Sequence, residues 1–362
     1  MKILHIINTL NIAGAERLMT SMIPVQRASG HDVELLLLNE TRTAFYDQLR
    51  DQGIAIHAFR MKGGEYNPFC IWKLRRYLRR YDVVHVHLFP AQYWVAVCKW
   101  VFRIKTPAVT TEHSTSNSRF NHVLTTWTDR WVYRRYACIV GITDAVTKVM
   151  DDRVRHCIPV VTIENGIDIH AFSSARPLTK QALGLPDDCK VLLQVARFRP
   201  PKNQACVIKA VALLPSYVHA VFAGEGEGMD DCKKLAMQLH VADRVHFLGI
   251  RNDIAALCAT SDVGVVSSHW EGFGLAAVES MAAGKPVVVS AVDGLQQIVS
   301  NEGLTFADDD EHQLAARLQR LLTDHDYYQS MASFCQERAQ HYSIERMAAA
   351  YVELYKKVLA GQ

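Results

Sequence analysis

Short runs of aliphatic and β-branched residues alternate with longer amphipathic stretches along the first half of the chain. Strand-like runs fall at Lys2–Ile7, Val33–Leu38, Val83–His87, Ala108–Thr111 and Ala137–Gly141. Helix-like periodicity fills the gaps at Ala15–Ala28, Pro68–Arg80, Ala91–Phe102 and His122–Tyr136. The alternation then starts again, with strands at Val191–Val195, Ala220–Ala223, Val245–Leu248, Val263–Val266 and Val287–Ser290. Helices at Gln204–Leu214, Met229–Leu239, Ile254–Ala259 and Leu275–Ala283 separate these. The chain finishes in helical periodicity alone, at Glu311–Leu322, Tyr327–Gln340 and Ile344–Leu359. Strand–helix alternation means parallel sheets covered on both faces, with a ligand crevice beyond the carboxyl ends of the strands. Two such series in 362 residues predict an α/β protein of two doubly wound, Rossmann-like domains. The turn-forming Glu164-Asn165-Gly166-Ile167-Asp168, between a strand-like run and a polar stretch with Pro177, marks the boundary.

Composition narrows the class. Apolar residues make up 49% of the chain, enough for large cores and too many for a disordered protein. A net charge of +3 speaks against a dedicated nucleic-acid binder, which shows a basic excess. That balance conceals an asymmetry. Residues 1–168 hold twenty-two basic and fifteen acidic side chains (+7), while residues 169–362 hold eighteen and twenty-two (−4). The nine Cys are scattered with no C-x-x-C pair, which predicts free thiols in a reducing cytoplasm. The N-terminus reads as a first strand and not a signal peptide. The longest largely apolar stretch, Tyr93–Phe102, contains Lys99 and is about half the ~20 residues of a membrane span.

The chemistry concentrates in Ser267–Pro286, SSHWEGFGLAAVESMAAGKP. A strand precedes it and a helix is expected to start near Gly274. Gly272 and Gly274 let backbone approach a ligand, and the first helix amides make an anion site suited to phosphate. Glu271 falls in the loop. Glu279 falls one turn into the helix, able to accept bonds from two adjacent hydroxyls such as those of a ribose. An ordinary strand–turn–helix with surface acids is the plainer alternative.

Glu271 through Glu279 resembles the E-x7-E motif of the retaining family-4 glycosyltransferases of the GT-B fold. Ser280-Met281-Ala282-Ala283-Gly284-Lys285-Pro286-Val287-Val288 extends the match. The resemblance continues through Gly14-Ala15-Glu16-Arg17, the linker Glu164–Asp168, Val195-Ala196-Arg197 with Pro201-Lys202-Asn203, Ala223-Gly224-Glu225-Gly226 and Phe247-Leu248-Gly249. It implies two Rossmann-like domains facing a central cleft. Residues 1–168 would bind the acceptor, residues 169–342 the nucleotide sugar, and the helix at 343–362 would cross back to the first domain.

The same resemblance implies roles. Arg197 and Lys202 would hold the donor diphosphate and stabilise the leaving group; from spacing alone, they could equally be surface residues beside a Pro-Pro turn. Glu271 would contact hydroxyls of the transferred sugar, and Glu279 the ribose. Backbone around Gly272, Phe273, Gly274 and Leu275 would assist. The amide of Gly14 would face the donor phosphates; many relatives carry Gly-Gly where this chain has Ala13-Gly14. His113 matches a cleft histidine near the reacting carbon, although a lone His is more often structural. His85 and His87 are minor candidates for the acceptor side. Ile250 and Arg251 would lie at the base, where a guanidinium can stack; a solvated loop Arg is the alternative. Gly224, Gly226 and Gly228 lack G-x-G-x-x-G spacing and carry Glu225 and Glu227 between them, so they read as a tight turn, not a dinucleotide loop.

The implied reaction is metal-independent transfer, with retention, from a nucleoside-diphosphate sugar, a UDP-sugar most of all. The acceptor would be a glycan or a lipid-linked glycan in assembly of a cell-surface polysaccharide such as capsule or O-antigen. No cofactor and no metal are called for, and no His pair shows metal-ligand spacing with a carboxylate. The basic, aromatic segments Trp72–Tyr81 and Trp127–Tyr136 fit either solvated helix faces or contact with an anionic membrane at its cytoplasmic face. A GT-B sugar-nucleotide epimerase and a non-catalytic binding subunit are the rival readings. The first would act on donor alone; the second predicts eroded donor residues, whereas Arg197, Lys202, Glu271 and Glu279 are all present.

Overall fold

The structure, a computed structural model, describes residues 1–11, 14–114 and 123–361. The chain forms two compact units, Met1–Gly166 with Ile344–Gln362, and Ile167–Ser343.

In the first unit the elements run β1 (Lys2–Ile7), α1 (Gly14–Ala28), β2 (Asp32–Leu37), α2 (Ala44–Asp51), β3 (Ala55–Ala58) and α3 (Cys70–Leu78). They continue through β4 (Val83–His87), α4 (Ala91–Val101), β5 (Ala108–Glu112), α5 (Val123–Tyr133), β6 (Cys138–Gly141), α6 (Asp144–Val154) and β7 (Val160–Thr162). The second unit runs α7 (Ile169–Ser173), β8 (Lys190–Val195), α8 (Gln204–Leu213), β9 (Val218–Ala223), α9 (Met229–Gln238), β10 (Val245–Phe247) and α10 (Ile254–Thr260). It ends with β11 (Val263–Val266), α11 (Leu275–Ala282), β12 (Val287–Ser290), α12 (Asp293–Val299), β13 (Thr305–Phe306), α13 (Glu311–Thr323) and α14 (His325–Ala339). The final helix, α15 (Ile344–Ala360), belongs to the first unit, where it packs on α1.

Both sheets are parallel throughout. Their orders are β3-β2-β1-β4-β5-β6-β7 and β10-β9-β8-β11-β12-β13. The winding reverses between β1 and β4 in one and between β8 and β11 in the other, as in any doubly wound sheet. The elements missing from the hydrophobic pattern are short or polar. Edge strand β3 has four residues and β13 has two; α2, with sequence AFYDQLRD, buries only Leu49. Helices α6, α7 and α12 are also additional. The predicted start of a helix at His122 lies outside the described residues.

The core of the first unit is unusual in its polar content. Registering β1 on β4 sets His5 beside His85, and the period of two puts His87 on the same face. All three are at most 1% exposed. His5 Nε2 lies 2.8 Å from Gln26 Oε1 and its Nδ1 3.2 Å from His87 Nε2. The ring of His85 is held at both ends, by Tyr355 Oη at 2.6 Å and Thr111 Oγ1 at 2.7 Å. Three imidazoles with nitrogens within 4.8 Å of one another are a possible metal set. Here five of the six nitrogens already have protein partners, and no carboxylate among the described residues joins the group to offset a buried dication. The trio is a hydrogen-bonded clamp that fastens α1 and α15 onto the sheet. That location corrects the expectation for His85 and His87: enclosed in the core, they offer no surface to an acceptor.

Burial lowers the pKa of His5 to about 4 and pushes His85 and His87 well below the ordinary value. An unfolded histidine titrates near 6.5. Below that pH the unfolded chain therefore binds more protons than the folded one. The stability of this unit is expected to be full above about pH 6.5 and to fall as the pH drops toward 4. Five of the six Trp (Trp72, Trp94, Trp100, Trp127 and Trp131) lie in this unit, so a urea titration followed by tryptophan fluorescence reports on it. Its midpoint should be lower at pH 5 than at pH 7.5, and an unchanged midpoint would contradict the neutral clamp.

Candidate active site

In the second unit, the candidate residues gather where the sheet reverses. β8 and β11 are hydrogen-bonded neighbours, so the loops leaving their carboxyl ends meet although about seventy positions separate them in sequence. The β8 loop carries Arg197 and a 3-10 turn ending at Lys202. The β11 loop carries Glu271. The Lys202 ammonium forms an ion pair with a Glu271 carboxylate oxygen, with 28% and 19% of the two side chains exposed.

Both partners are fixed from behind. Gln194 Nε2 donates to the Lys202 carbonyl at 2.9 Å, and Ser267 Oγ donates to the Lys202 and Asn203 carbonyls at 3.0 and 2.8 Å. The two loops are also joined by a bond from the His269 amide to the Pro201 carbonyl, at 2.9 Å. The Gly272 amide donates to Glu271 Oε1 at 3.2 Å, and Ser268 Oγ lies 3.4 Å from Oε2. Gly294, at the start of α12, packs on this loop; a Cβ there would come within 2.4 Å of the Glu271 carbonyl oxygen.

Arg197 is exposed, and its carbonyl accepts from Gln204 Nε2 at 3.0 Å. Its loop rests on the glycines after β9. A Cβ on Gly224 would lie 2.1 Å from the Ala196 carbonyl oxygen, and one on Gly226 2.2 Å from that of Phe198. Gly224 and Gly226 therefore buttress the diphosphate candidate rather than merely turning the chain. Their φ values, +139° and +159°, reinforce the requirement at Gly224.

Gly274 caps α11 with a φ of +90°, turning the chain so that the helix starts straight after the loop. As at any helix start, the first amides lack intrahelical acceptors and favour an anion. Phe273 points the other way: 2% exposed, its ring meets Tyr342 edge-on at 5.5 Å, so only its backbone remains for a ligand. Leu275 opens the helix, and Glu279 lies within it, 3% exposed. Ile250 is 61% exposed after β10. Arg251 forks onto Asp253, with Nε 2.7 Å from Oδ1, and this pairing raises its pKa and fixes the plane of the guanidinium, whose faces could still stack.

Two candidates belong to the first unit. Gly14 is exposed and opens α1 after the carboxyl end of β1. His113 follows β5, whose last residue, Glu112, is buried and accepts from Gln92 Nε2 at 2.8 Å and from the Tyr133 hydroxyl. The His113 ring is 5.9 Å from that of His87. Burial brings its pKa down to about 4, so it is neutral near pH 7. Its Nε2 is buried and makes no hydrogen bond among the described residues.

Gln194 and Gly294 carry no signal in the sequence, and Ser267 and Ser268, although inside the Ser267–Pro286 segment, are assigned no role by it, since polar and small residues near strand ends are common. Only the facing of the two loops reveals them.

Two parallel sheets of this order, each covered by helices, define a protein of two Rossmann-like domains. Comparison with known proteins gives the family. The model for Glycosyltransferase Family 4 matches residues 12–171, and that for Glycosyl transferases group 1 matches residues 175–338. The chain is 26% identical over 292 residues to the N-acetyl-alpha-D-glucosaminyl L-malate synthase of Bacillus anthracis, covering 77% of this chain and 75% of that protein. It is 30% identical over 304 residues to the D-inositol 3-phosphate glycosyltransferase of Mycobacterium marinum, covering 77% and 64%. The crystal structure of Anabaena HepE in complex with UDP and glucose superposes with a TM-score of 0.85 at 22% identity, over 99% of this chain and 100% of that one. The chain belongs to the family-4 glycosyltransferases and has the GT-B fold.

The buttress can be tested directly. Gly224→Ala forces either the Ala196–Phe198 loop or the β9 end to shift, and is expected to cost more than ~1 kcal/mol. By calorimetry the unfolding step of the second unit should fall by at least ~2 °C. An unchanged step would mean that the loop does not depend on this contact.

Proposed function

We propose that this glycosyltransferase draws its sugar from a nucleoside-diphosphate sugar, a UDP-sugar, and transfers it with retention of configuration. The carrying observation is the convergence of Lys202, Glu271 and the start of α11 at the reversal of the second sheet. In this reading, Arg197 and Lys202 neutralise the diphosphate as the glycosidic bond breaks, fixed cations taking the part a metal plays elsewhere. Glu279 holds the ribose and Glu271 the sugar hydroxyls. Gly14 and His113, the latter neutral near pH 7, are assigned to donor binding by the family resemblance alone. The neighbour solved with UDP and glucose supports the choice of donor.

The acceptor we infer is a glycan or a lipid-linked glycan of a cell-surface polysaccharide, used at the cytoplasmic face of a membrane. Among the described residues no helix is long and apolar enough to cross a membrane. Support for peripheral contact comes from α3, α4 and α5. They expose Trp72, Trp100, Trp127 and Trp131, and Trp100 meets Trp131 edge-on at 5.5 Å. Arg75 lies over the Trp72 ring and Arg135 over that of Trp131, while Arg76, Arg79 and Arg134 are exposed. Indoles and arginines together suit the headgroup layer of an anionic bilayer.

Two measurements check these readings. A thermal-shift panel of UDP-, GDP- and ADP-sugars should show one base stabilising the enzyme, by ~2.7 kcal/mol at a hundred times Kd. Lys202→Ala and Glu279→Ala should lose that shift and all transfer while keeping their circular dichroism; full turnover by both would overturn the assignment. In flotation assays the protein should rise with vesicles of phosphatidylglycerol but not of phosphatidylcholine. Trp127→Ala/Trp131→Ala should remain at the bottom of the gradient, and flotation of that variant like the parent would refute the membrane contact.

A further inference from the structure

Lys202 and Glu271 are each assigned to a different part of the donor, yet the structure pairs them with one another. We propose that this ion pair is a selectivity device: Glu271 disfavours the bare nucleoside diphosphate relative to the sugar-bearing donor, and so favours release of product. The inference rests on the donor reading given above.

The argument follows from charge and position. Glu271 is not a swinging surface acid. Its Oε1 accepts from the Gly272 amide, its Oε2 lies beside Ser268 and Lys202, and Gly294 packs against its backbone. Lys202 is equally constrained, its backbone held by Gln194 and Ser267 and its side chain only 28% exposed. A diphosphate that reaches Lys202 must therefore approach a carboxylate that cannot withdraw. An ammonium has three donors and can serve both groups, but the two anions then repel across a partly desolvated site.

A sugar changes the balance. Its hydroxyls donate to Glu271, so the carboxylate exchanges part of its hold on Lys202 for new hydrogen bonds while the diphosphate takes the ammonium. The nucleoside diphosphate left after transfer brings phosphate charge without those donors. It leaves Glu271 competing for Lys202 with nothing in return. The same carboxylate therefore assists the donor and opposes the product.

Glu271→Gln keeps the shape and removes the charge. The test is calorimetric titration of the parent, Glu271→Gln and Lys202→Ala/Glu271→Gln with UDP, GDP and ADP and with UDP-, GDP- and ADP-glucose. The nucleoside diphosphate that binds the parent should bind Glu271→Gln about tenfold more tightly, a gain of ~1.4 kcal/mol. Its glucose conjugate should gain less or lose affinity. The double variant should lose the gain, because the cation that benefits is gone. Unchanged or weaker binding of the diphosphate to Glu271→Gln, or an equal gain by the conjugate, would overturn the selectivity role while leaving the donor assignment in place. Failure of all three nucleoside diphosphates and all three glucose conjugates to bind either the parent or Glu271→Gln would instead remove the donor reading and this inference with it.

Discussion

The parallel pairing of β8 with β11 is the constraint on which the site depends. After β8 the chain builds outward through β9 and β10, then crosses to the other side of β8 to lay down β11. Right-handed crossovers put helices on opposite faces on either side of that reversal, and the loops that leave β8 and β11 diverge with a gap between them. Arg197, Lys202, Glu271 and Glu279 sit on elements bordering that gap, whereas Arg251 follows the edge strand β10. Parallel geometry also explains why the groups are cations, amides and carboxylates on loops: β11 is buried throughout and β8 everywhere but its two ends, and they contribute mainly Val and Leu.

Placing a lysine and a glutamate in the gap is an electrostatic choice. A lone Lys202 would be an excellent phosphate site and would bind product as firmly as substrate. Set against Glu271, it becomes a site whose charge is already partly answered, so only a ligand that compensates both partners gains fully. Rigid support from Gln194, Ser267 and Gly294 matters because a carboxylate free to rotate away would exert no such discrimination. The glycines of the second unit serve the same purpose. Gly224 and Gly226 let the β9 end press on the loop bearing Arg197, and Gly274 turns the chain abruptly enough to aim the start of α11 at the gap.

The first unit solves a different problem. It closes on the last helix of the chain, α15, and does so partly with polar bonds: Tyr355 to His85, and Tyr351 to Thr111 at 3.0 Å. Such bonds are specific in geometry as well as favourable, and a buried imidazole with both nitrogens engaged tolerates few other arrangements. The unit's basic excess is borne on its surface, where arginines lie over exposed tryptophans of α3 and α5.

Periodicity in the sequence determined most of this architecture. The strand runs at Lys2–Ile7, Val83–His87, Val263–Val266 and Val287–Ser290 and the long helices are local patterns, set by whether apolar residues recur at two or at 3.6. The E-x7-E spacing and the glycines around it placed Glu271 and Glu279 correctly on a loop and a helix for the same reason. Edge strand β13 escaped because two residues leave no period, and β3, with the sequence AIHA, because it has a single β-branched residue. Tertiary structure alone decided the contacts. That His85 faces His5 and not solvent, that Lys202 meets Glu271, that Gly294 carries the Glu271 loop and that Asp253 occupies the fork of Arg251 follow from the order of strands and the packing of loops. Strand order is a long-range outcome of burying two sheets under their helices, and it leaves no imprint on the spacing of residues along the chain.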